Sequence, residues 1–362
     1  MRKLLSTLLA LSLALSLGAC AAKVDPDKPD EPVKDELRVV FTEEHLTKEV
    51  EYKADDGTVL LIEKYDLPQL EVRTSADEVY TPPVSNAAVD VPREYAAALA
   101  FNAEMQRAAD ALDASAQEAL AMAREHYDSL DAEQRAYWAN YADELIVDSI
   151  CLHYGLVSVW GVGYSNYGGA HGWESIQAWS FDLTTGEFLT LDALSSEEGD
   201  INGDSLQTSI YQNIVSQIDS QGLSEAYFDD YDSYLSDFPA FATFYFTATG
   251  MTVAFDTYII APYAAGPQVF DVPYSVFYSA LNERAKTLLG VPQEQIVLSD
   301  FDTAATLWSW LFITTPPTED TPDEMEINGY TYYQADIPGV STLAELRALM
   351  YRYFDKALAD RW

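Results

Sequence analysis

The sequence predicts an α+β fold built mostly on antiparallel sheet with packed helices, preceded by a signal peptide and a disordered tether. Three observations carry this expectation. Segments with alternating apolar residues come in pairs joined by turn residues, the pattern of β-hairpins. Between them lie stretches with apolar residues at 3.6-residue spacing, the pattern of amphipathic helices. The chain is also 48% hydrophobic with 24 Tyr, 15 Phe and 7 Trp, enough to bury a sizeable core.

The N-terminus, MRKLLSTLLALSLALSLGAC, starts with the positive Arg2 and Lys3. An apolar run over residues 4–17 follows, shorter than the ~20 residues of a bilayer-spanning helix. Leu17-Gly18-Ala19-Cys20 then resembles the lipobox of bacterial lipoproteins. The order has a chemical reason: a peptidase must pass small side chains, and only a thiol can take the lipid thioether. Residues 1–19 are therefore expected to be removed, with Cys20 carrying lipid. Several acyl chains on one Cys give a stable membrane anchor. Residues 20–37 form the tether; VDPDKPDEPVKDE is rich in Pro and charge and has little to bury.

Fifty-nine acidic against 20 basic residues give a net charge of -39. Cleavage would delete Arg2 and Lys3 and bring the mature chain to -41. That excludes nucleic acid as a natural partner, because its phosphates need Lys and Arg. It is compatible with a basic partner or with solubility alone. After Cys20 only Cys151 remains, so no internal disulfide can form. Cys151 lies among apolar residues and is expected in the core. His45, His126, His153 and His171 are scattered, and no HExxH or CxxC spacing calls for a metal or other cofactor.

Residues 38–312 read as the main domain. Residues 37–71 are strand-like, with Asp55-Asp56-Gly57 as a hairpin turn. Residues 72–92 are loop, and 91–145 are expected to be helical. Pro92 suits a helix start, and Ala97, Phe101, Met105, Ala108 and Leu112 share one stripe. Residues 146–164 and 176–183 read as strands, with a turn at 184–187 and a further strand at 188–191. Residues 203–221 read as a helix with Leu206, Ile210, Ile214 and Ile218 inward. FATFYFT and MTVAFD form a hairpin around Thr249-Gly250. Pro273 opens one helix through Leu289, with Val276, Leu281, Ala285 and Leu288 inward. Residues 313–325 are a Pro-rich linker. Residues 326–362 are a small strand–helix unit, with Thr342 and Glu345 at capping-box spacing. That unit is too small for its own core. It either packs on the main body or opens a domain cut short, and the second is favoured.

Chemistry is scarce. Asp200-Ile201-Asn202-Gly203-Asp204 resembles the start of a calcium loop but lacks Gly at the sixth position and Glu at the twelfth. The acids at 229, 230, 232 and 237 suit a solvated face. No G-x-S-x-G supports hydrolase chemistry, so no catalytic residue is assigned.

Two stretches stand out: Gly163-Tyr164-Ser165-Asn166-Tyr167-Gly168-Gly169-Ala170-His171-Gly172 followed by SFDLTTGEFLTLDAL, and FDTYIIAPYAAGPQVFDVPYS over residues 255–275. In this order they resemble the extracytoplasmic domain shared by RsiV-type lysozyme-sensing anti-sigma factors and PdaC-type peptidoglycan deacetylases. The resemblance spans about residues 140–290. It implies a binding domain of the cell envelope rather than a catalyst, because the deacetylase's metal-binding domain is absent from the sequence. The anti-sigma factor's transmembrane helix is likewise replaced by a lipid anchor. The implied ligand is a lysozyme-like hydrolase or a peptidoglycan component, and the candidate binding residues are Tyr167, Gly168, Gly169, His171, Tyr258 and Tyr263. A glycan-modifying enzyme using His171 and nearby acids remains an alternative. So does an envelope inhibitor, since residues 326–362 resemble the opening of IseA-type inhibitors of cell-wall endopeptidases. Gly168 and Gly169 are expected to serve a turn needing positive φ.

Overall fold

The first hairpin forms as its turn residues dictate. The structure, a computed structural model, describes residues 36–82, 91–153, 155–222, 226–318, 324–328, 330–338 and 340–362. The expected signal peptide, Cys20 and the tether up to residue 35 lie outside the described residues. Four strands open the body: β1 (Arg38–Phe41), β2 (Leu46–Lys53), β3 (Val59–Leu67) and β4 (Leu70–Arg73). Gly57 takes φ +89° in the β2–β3 turn, and the Asp56 carboxylate accepts the Thr58 N–H at 3.0 Å. β1 and β4 pair as a separate antiparallel ribbon.

Helix α1 (Arg93–Ser129) follows, then a single turn α2 (Ala132–Arg135) capped by Asp131 and Gln134 in a capping box. The helical expectation for residues 91–145 is corrected at its end, because β5 (Tyr141–His153) starts at Tyr141. The inward Asp143 masks the strand alternation there. β5 runs parallel to β3, with Leu61 opposite Tyr141 and Glu63 opposite Asp143. α1 serves as the crossover that a parallel pair requires. Residues 146–164, expected to be strand-like, divide between β5 and β6 (Leu156–Asn166), with Gly155 at φ +114° between them. β7 (Trp173–Asp182) and the short β8 (Glu187–Phe188) complete a sheet ordered β2-β3-β5-β6-β7-β8. The strand expected to reach residue 191 stops early, since Thr190 instead caps α3 (Leu191–Leu194).

The two faces of this sheet have different covers. On one, α1 lies over β3, β4 and β5. Its alanines let the helix approach closely, so Ala97, Phe101, Met105 and Ala109 pack with Leu67, Val72, Val159 and Phe181. Further along, Ala116, Ala119, Ala123 and Tyr127 pack with Leu60, Leu61 and Tyr141. The other face meets a second sheet. α4 (Leu206–Gln221) buries all four expected residues of its stripe. The short helices α5 (Tyr231–Ser236) and α6 (Phe238–Phe241) lead into β9 (Ala242–Phe246) and β10 (Gly250–Phe255), the expected hairpin, and β11 (Gln268–Pro273) pairs on β10. Trp160 of β6 stacks on Tyr245 of β9 at 5.1 Å, and the Phe246 N–H donates to Ser158 Oγ at 2.8 Å.

The helix expected over 273–289 is two: α7 (Tyr274–Phe277), continued by a 3-10 turn, and α8 (Glu283–Leu289). Asn282 causes the break. Its side chain accepts the Ala285 N–H at 2.8 Å and donates to the Ala193 and Ser195 carbonyls. α9 (Gln293–Phe312), to which the sequence analysis assigns no element, starts after Pro292. Beyond it lie the hairpin β12 (Glu324–Ile327) and β13 (Tyr330–Tyr333), then α10 (Leu343–Tyr353) and α11 (Lys356–Ala359). Thr342 Oγ1 accepts the Glu345 N–H as expected. α10 packs on α9, and the Trp362 ring meets Phe312 at 5.3 Å. Residues 37–362 thus make one contiguous unit. Overall, the chain is α+β with mostly antiparallel sheet. Cys151 is half-buried rather than in the core, and burial pushes its thiol pKa up. No described helix is long and apolar enough to cross a membrane.

Candidate functional site

The six candidate binding residues lie on two loops far apart in sequence, and of them His171, Tyr258 and Tyr263 come into contact. Tyr167, Gly168, Gly169 and His171 lie in the β6–β7 connection. Tyr258 and Tyr263 lie in the β10–β11 connection. Asp256, at the end of β10, ties the second loop to the first sheet: its carboxylate accepts the Ile176 N–H of β7 at 2.7 Å. Burial raises the Asp256 pKa, and that hydrogen bond opposes the rise. The Tyr263 hydroxyl donates to the Gly172 carbonyl at 2.7 Å.

These bonds assemble an aromatic cluster. His171 stacks on Tyr263 with ring centres 3.7 Å apart, Tyr263 lies 5.7 Å from Tyr258, and Tyr258 stacks on Trp173 at 5.9 Å. His171, Tyr258 and Trp173 are exposed, an unusual condition for packed rings. Tyr258 also sits at φ +71°, a left-handed backbone that a bulky side chain rarely adopts.

The two glycines have different roles. Gly168 takes φ +81°, and a Cβ there would stand 2.7 Å from the Tyr141 ring. Gly169 is corrected: it does not adopt positive φ, and a Cβ would meet nothing closer than the His171 carbonyl at 3.4 Å. Tyr167 packs by its ring on Tyr141 at 6.1 Å, while its hydroxyl reaches Ser115 Oγ of α1 at 3.0 Å.

Trp173 and Tyr167 also border a cleft of about 340 Å³ between α1 and strands β5–β7. Small residues open it. Ala108 and Ala111 line the helix wall, and Gly163 lies on the floor opposite Ser175. A Cβ on Gly163 would come within 2.8 Å of Ser175 Oγ. Trp173, Ser175, Gln177 and Trp179 alternate along β7 and present one face to the cleft. Of the residues that line this cleft, only Tyr167 is among the binding residues expected from the sequence.

Two carboxylates stand side by side beneath α1, in register across β3 and β5. Glu63 is fully buried and has partners: Lys48 Nζ at 2.7 Å and the Tyr52 hydroxyl at 2.6 Å. Lys48 also reaches Asp113 at 3.0 Å. Burial raises the Glu63 pKa, and interaction with Asp113 adds to the rise while Lys48 and Tyr52 oppose it. Asp143 lines the cleft and is only 5% exposed, yet its Oδ2 has no hydrogen-bond partner. Burial raises its pKa too, with the Ser115 and Tyr167 hydroxyls opposing. The only signal in the sequence is a carboxylate at an inward strand position, between Tyr141 and Leu145.

Elsewhere the polar side chains serve local structure. Asp200 accepts the Asn202 and Asp204 N–H groups and closes its own turn. Among the described residues no group of three His, Cys, Asp or Glu is disposed to hold a metal. Asp182, almost fully buried, accepts from Thr184 and pairs with Arg284, which ties β7 to α8.

Comparison with known proteins finds similarity over part of the chain. Residues 200–275, from before α4 to the start of α7 and including the second aromatic loop, match the family model described as a protein of unknown function, DUF3298. No curated protein matches. Among solved structures, a DUF3298 family member from Bacteroides fragilis is similar over 71% of this chain and 99% of its own, with TM-score 0.46 and 15% identity. A DUF3298 family protein from Pseudomonas aeruginosa is similar over 69% of this chain and 97% of its own, with TM-score 0.39 and 16% identity.

Proposed function

We propose that this protein is a membrane-anchored, extracytoplasmic binding protein of the cell envelope, recognising a lysozyme-like hydrolase or a peptidoglycan component. The observation that carries the reading is the convergence of two remote loops into an exposed aromatic cluster beside a cleft. Aromatic side chains offer large contact area at low entropy cost and dominate binding hot spots. The cluster is held by Asp256 and Tyr263, whose hydrogen bonds reach the Ile176 N–H and the Gly172 carbonyl. Binding rather than catalysis fits the arrangement, because His171 stacks on a tyrosine and its nearest polar contact is the backbone carbonyl of Gly172. The anchor rests on Cys20 and its preceding small residues. The charge of -39 suits a basic hydrolase, whose approach it would accelerate at low salt.

Titration of the Cys20→Ser chain with hen lysozyme and with soluble peptidoglycan fragments tests the reading. Saturable binding of one of them is expected, weakened by Tyr258→Ala and Tyr263→Ala. For lysozyme it should also weaken as salt rises. No binding of either at low salt would overturn the proposal.

A further inference from the structure

The Asp143 carboxylate is difficult to explain as structure. The Ser115 and Tyr167 hydroxyls reach this group, yet its Oδ2 has no donor and no cation stands beside it. A buried carboxylate oxygen left so costs stability, and proteins normally pair such a charge or replace it. Its neighbour Glu63 shows the usual solution, an ammonium and a phenol within 2.7 Å. Asp143 has room beside it instead, because the cleft is kept open by Gly163, Ala108 and Ala111. The lining includes a second acid, Glu144, four aromatic residues (Tyr164, Tyr167, Trp173 and Trp179), and no Lys or Arg. The volume of about 340 Å³ is at the small end of ligand sites and suits a single side chain or a small amine.

We propose that this cleft is a cation subsite, in which Asp143 takes the ammonium or guanidinium group of a lysine- or arginine-like ligand between aromatic walls. A cation supplies what Oδ2 lacks, an N–H donor and a compensating charge. Aromatic faces attract the same group, and more strongly when water is excluded. A neutral sugar could donate a hydroxyl but would leave the charge uncompensated. The subsite deepens the binding reading above, since basic side chains are what a cationic hydrolase would present at the adjoining aromatic cluster. The same group on a free amine or a peptide stem would satisfy it equally.

Two arms distinguish these sources. In the first, the intrinsic tryptophan fluorescence of the full chain is titrated with Nα-acetyl-argininamide, Nα-acetyl-lysinamide, Nα-acetyl-norleucinamide and N-acetylglucosamine. Saturable quenching by the two cations and not by norleucinamide is expected, weakened at least tenfold by Asp143→Asn. Circular dichroism should confirm that this variant folds, since it removes an uncompensated charge. Trp173→Leu, at the mouth, should also weaken the cations. Equal binding of norleucinamide, saturation by N-acetylglucosamine alone, or an unchanged Asp143→Asn would overturn the subsite. In the second arm, lysozyme is titrated against both chains. Lysozyme binding that Asp143→Asn leaves intact would overturn delivery by a protein side chain while the binding reading stands. Loss of lysozyme binding in the parent chain, with cation binding retained, would overturn the hydrolase partner and leave the subsite.

Discussion

Replacing Gly168 by Ala tests how tightly the β6–β7 loop is built. Two costs add at this position. At φ +81° any Cβ is strained, by about 1–2 kcal/mol. The added methyl would also stand 2.7 Å from Tyr141 Cε1 and 2.8 Å from its hydroxyl oxygen. That ring has little freedom to retreat: it is 5% exposed and stacks on Trp138 at 5.7 Å, with planes 13° apart. Forcing atoms into such a site costs about 1–3 kcal/mol. The expected loss is therefore about 2–5 kcal/mol, which for a chain of this size lowers Tm by roughly 2 °C for each kcal/mol. Gly169→Ala is the matched control. Its φ is ordinary and its nearest neighbour is 3.4 Å away, so it should stay within about 0.5 kcal/mol of the parent. Thermal and urea unfolding of both variants supply the numbers. A double-mutant cycle with Tyr141→Ala divides the effect, since only the steric part should vanish without the ring. Equal losses at 168 and 169, or no coupling between 168 and 141, would refute the reasoning.

Three further outcomes are expected. Tyr263→Phe removes the 2.7 Å bond to the Gly172 carbonyl and should cost about 1 kcal/mol of stability while loosening the His171 stack, measurable by near-ultraviolet circular dichroism. Asp143→Asn should change the pH dependence of stability. Burial raises this carboxyl above its ordinary 3.8, so the stability it contributes is complete below that value and is lost as pH rises through the raised one. The variant should thus match the parent at about pH 3 and surpass it increasingly towards neutrality; a difference that is flat with pH would contradict the assignment. If Cys20 carries the proposed lipid, Cys20→Ala should release the chain from the membrane fraction, whereas continued retention in that fraction would remove the lipid anchor from the proposal.

Where the sequence was a good guide, short-range chemistry decides the structure. Asp55-Asp56-Gly57 makes its hairpin because Asp56 and Gly57 complete the turn within three residues. The α4 stripe is buried as its spacing demands, since a period of 3.6 leaves one face to cover. The misreadings arise where a distant partner overrides local preference. Tyr141–Leu145 continues a helical stretch by composition, but β3 supplies a ladder and makes it strand. The helix at 273–289 breaks because Asn282 finds two carbonyls on the 193–195 turn, 87 residues or more away. The site divides in the same way. The glycine–histidine and tyrosine loops were legible as motifs. Their contact was not, because it depends on an Asp256–Ile176 bond across 80 residues. Asp143, Trp173 and Trp179 were invisible for the same reason, being ordinary strand residues until α1 leaves the β6–β7 floor uncovered.

That uncovered floor connects fold to function. α1 spans 37 residues but lies over β3, β4 and β5, while the sheet continues through β6 and β7. Had bulky residues occupied positions 161 and 163, side chains would have filled the space beside the helix. Glycine stands at both, and at each a Cβ would collide, with the Ile146 carbonyl at 161 and Ser175 at 163. The close strand packing that demands glycine therefore also lowers the floor. The cleft is a consequence of how β5, β6 and β7 pair, so it is present before any ligand arrives. A preformed site avoids the ordering cost that a flexible one meets on binding. The aromatic cluster at its mouth is braced in the same way, by one half-buried carboxylate, Asp256, and one tyrosine hydroxyl. Glu63 and Asp143 then mark the boundary between scaffold and site. They occupy equivalent positions in neighbouring strands under one helix, and the one that faces the cleft is the one left with an oxygen, Oδ2, that has no hydrogen-bond partner.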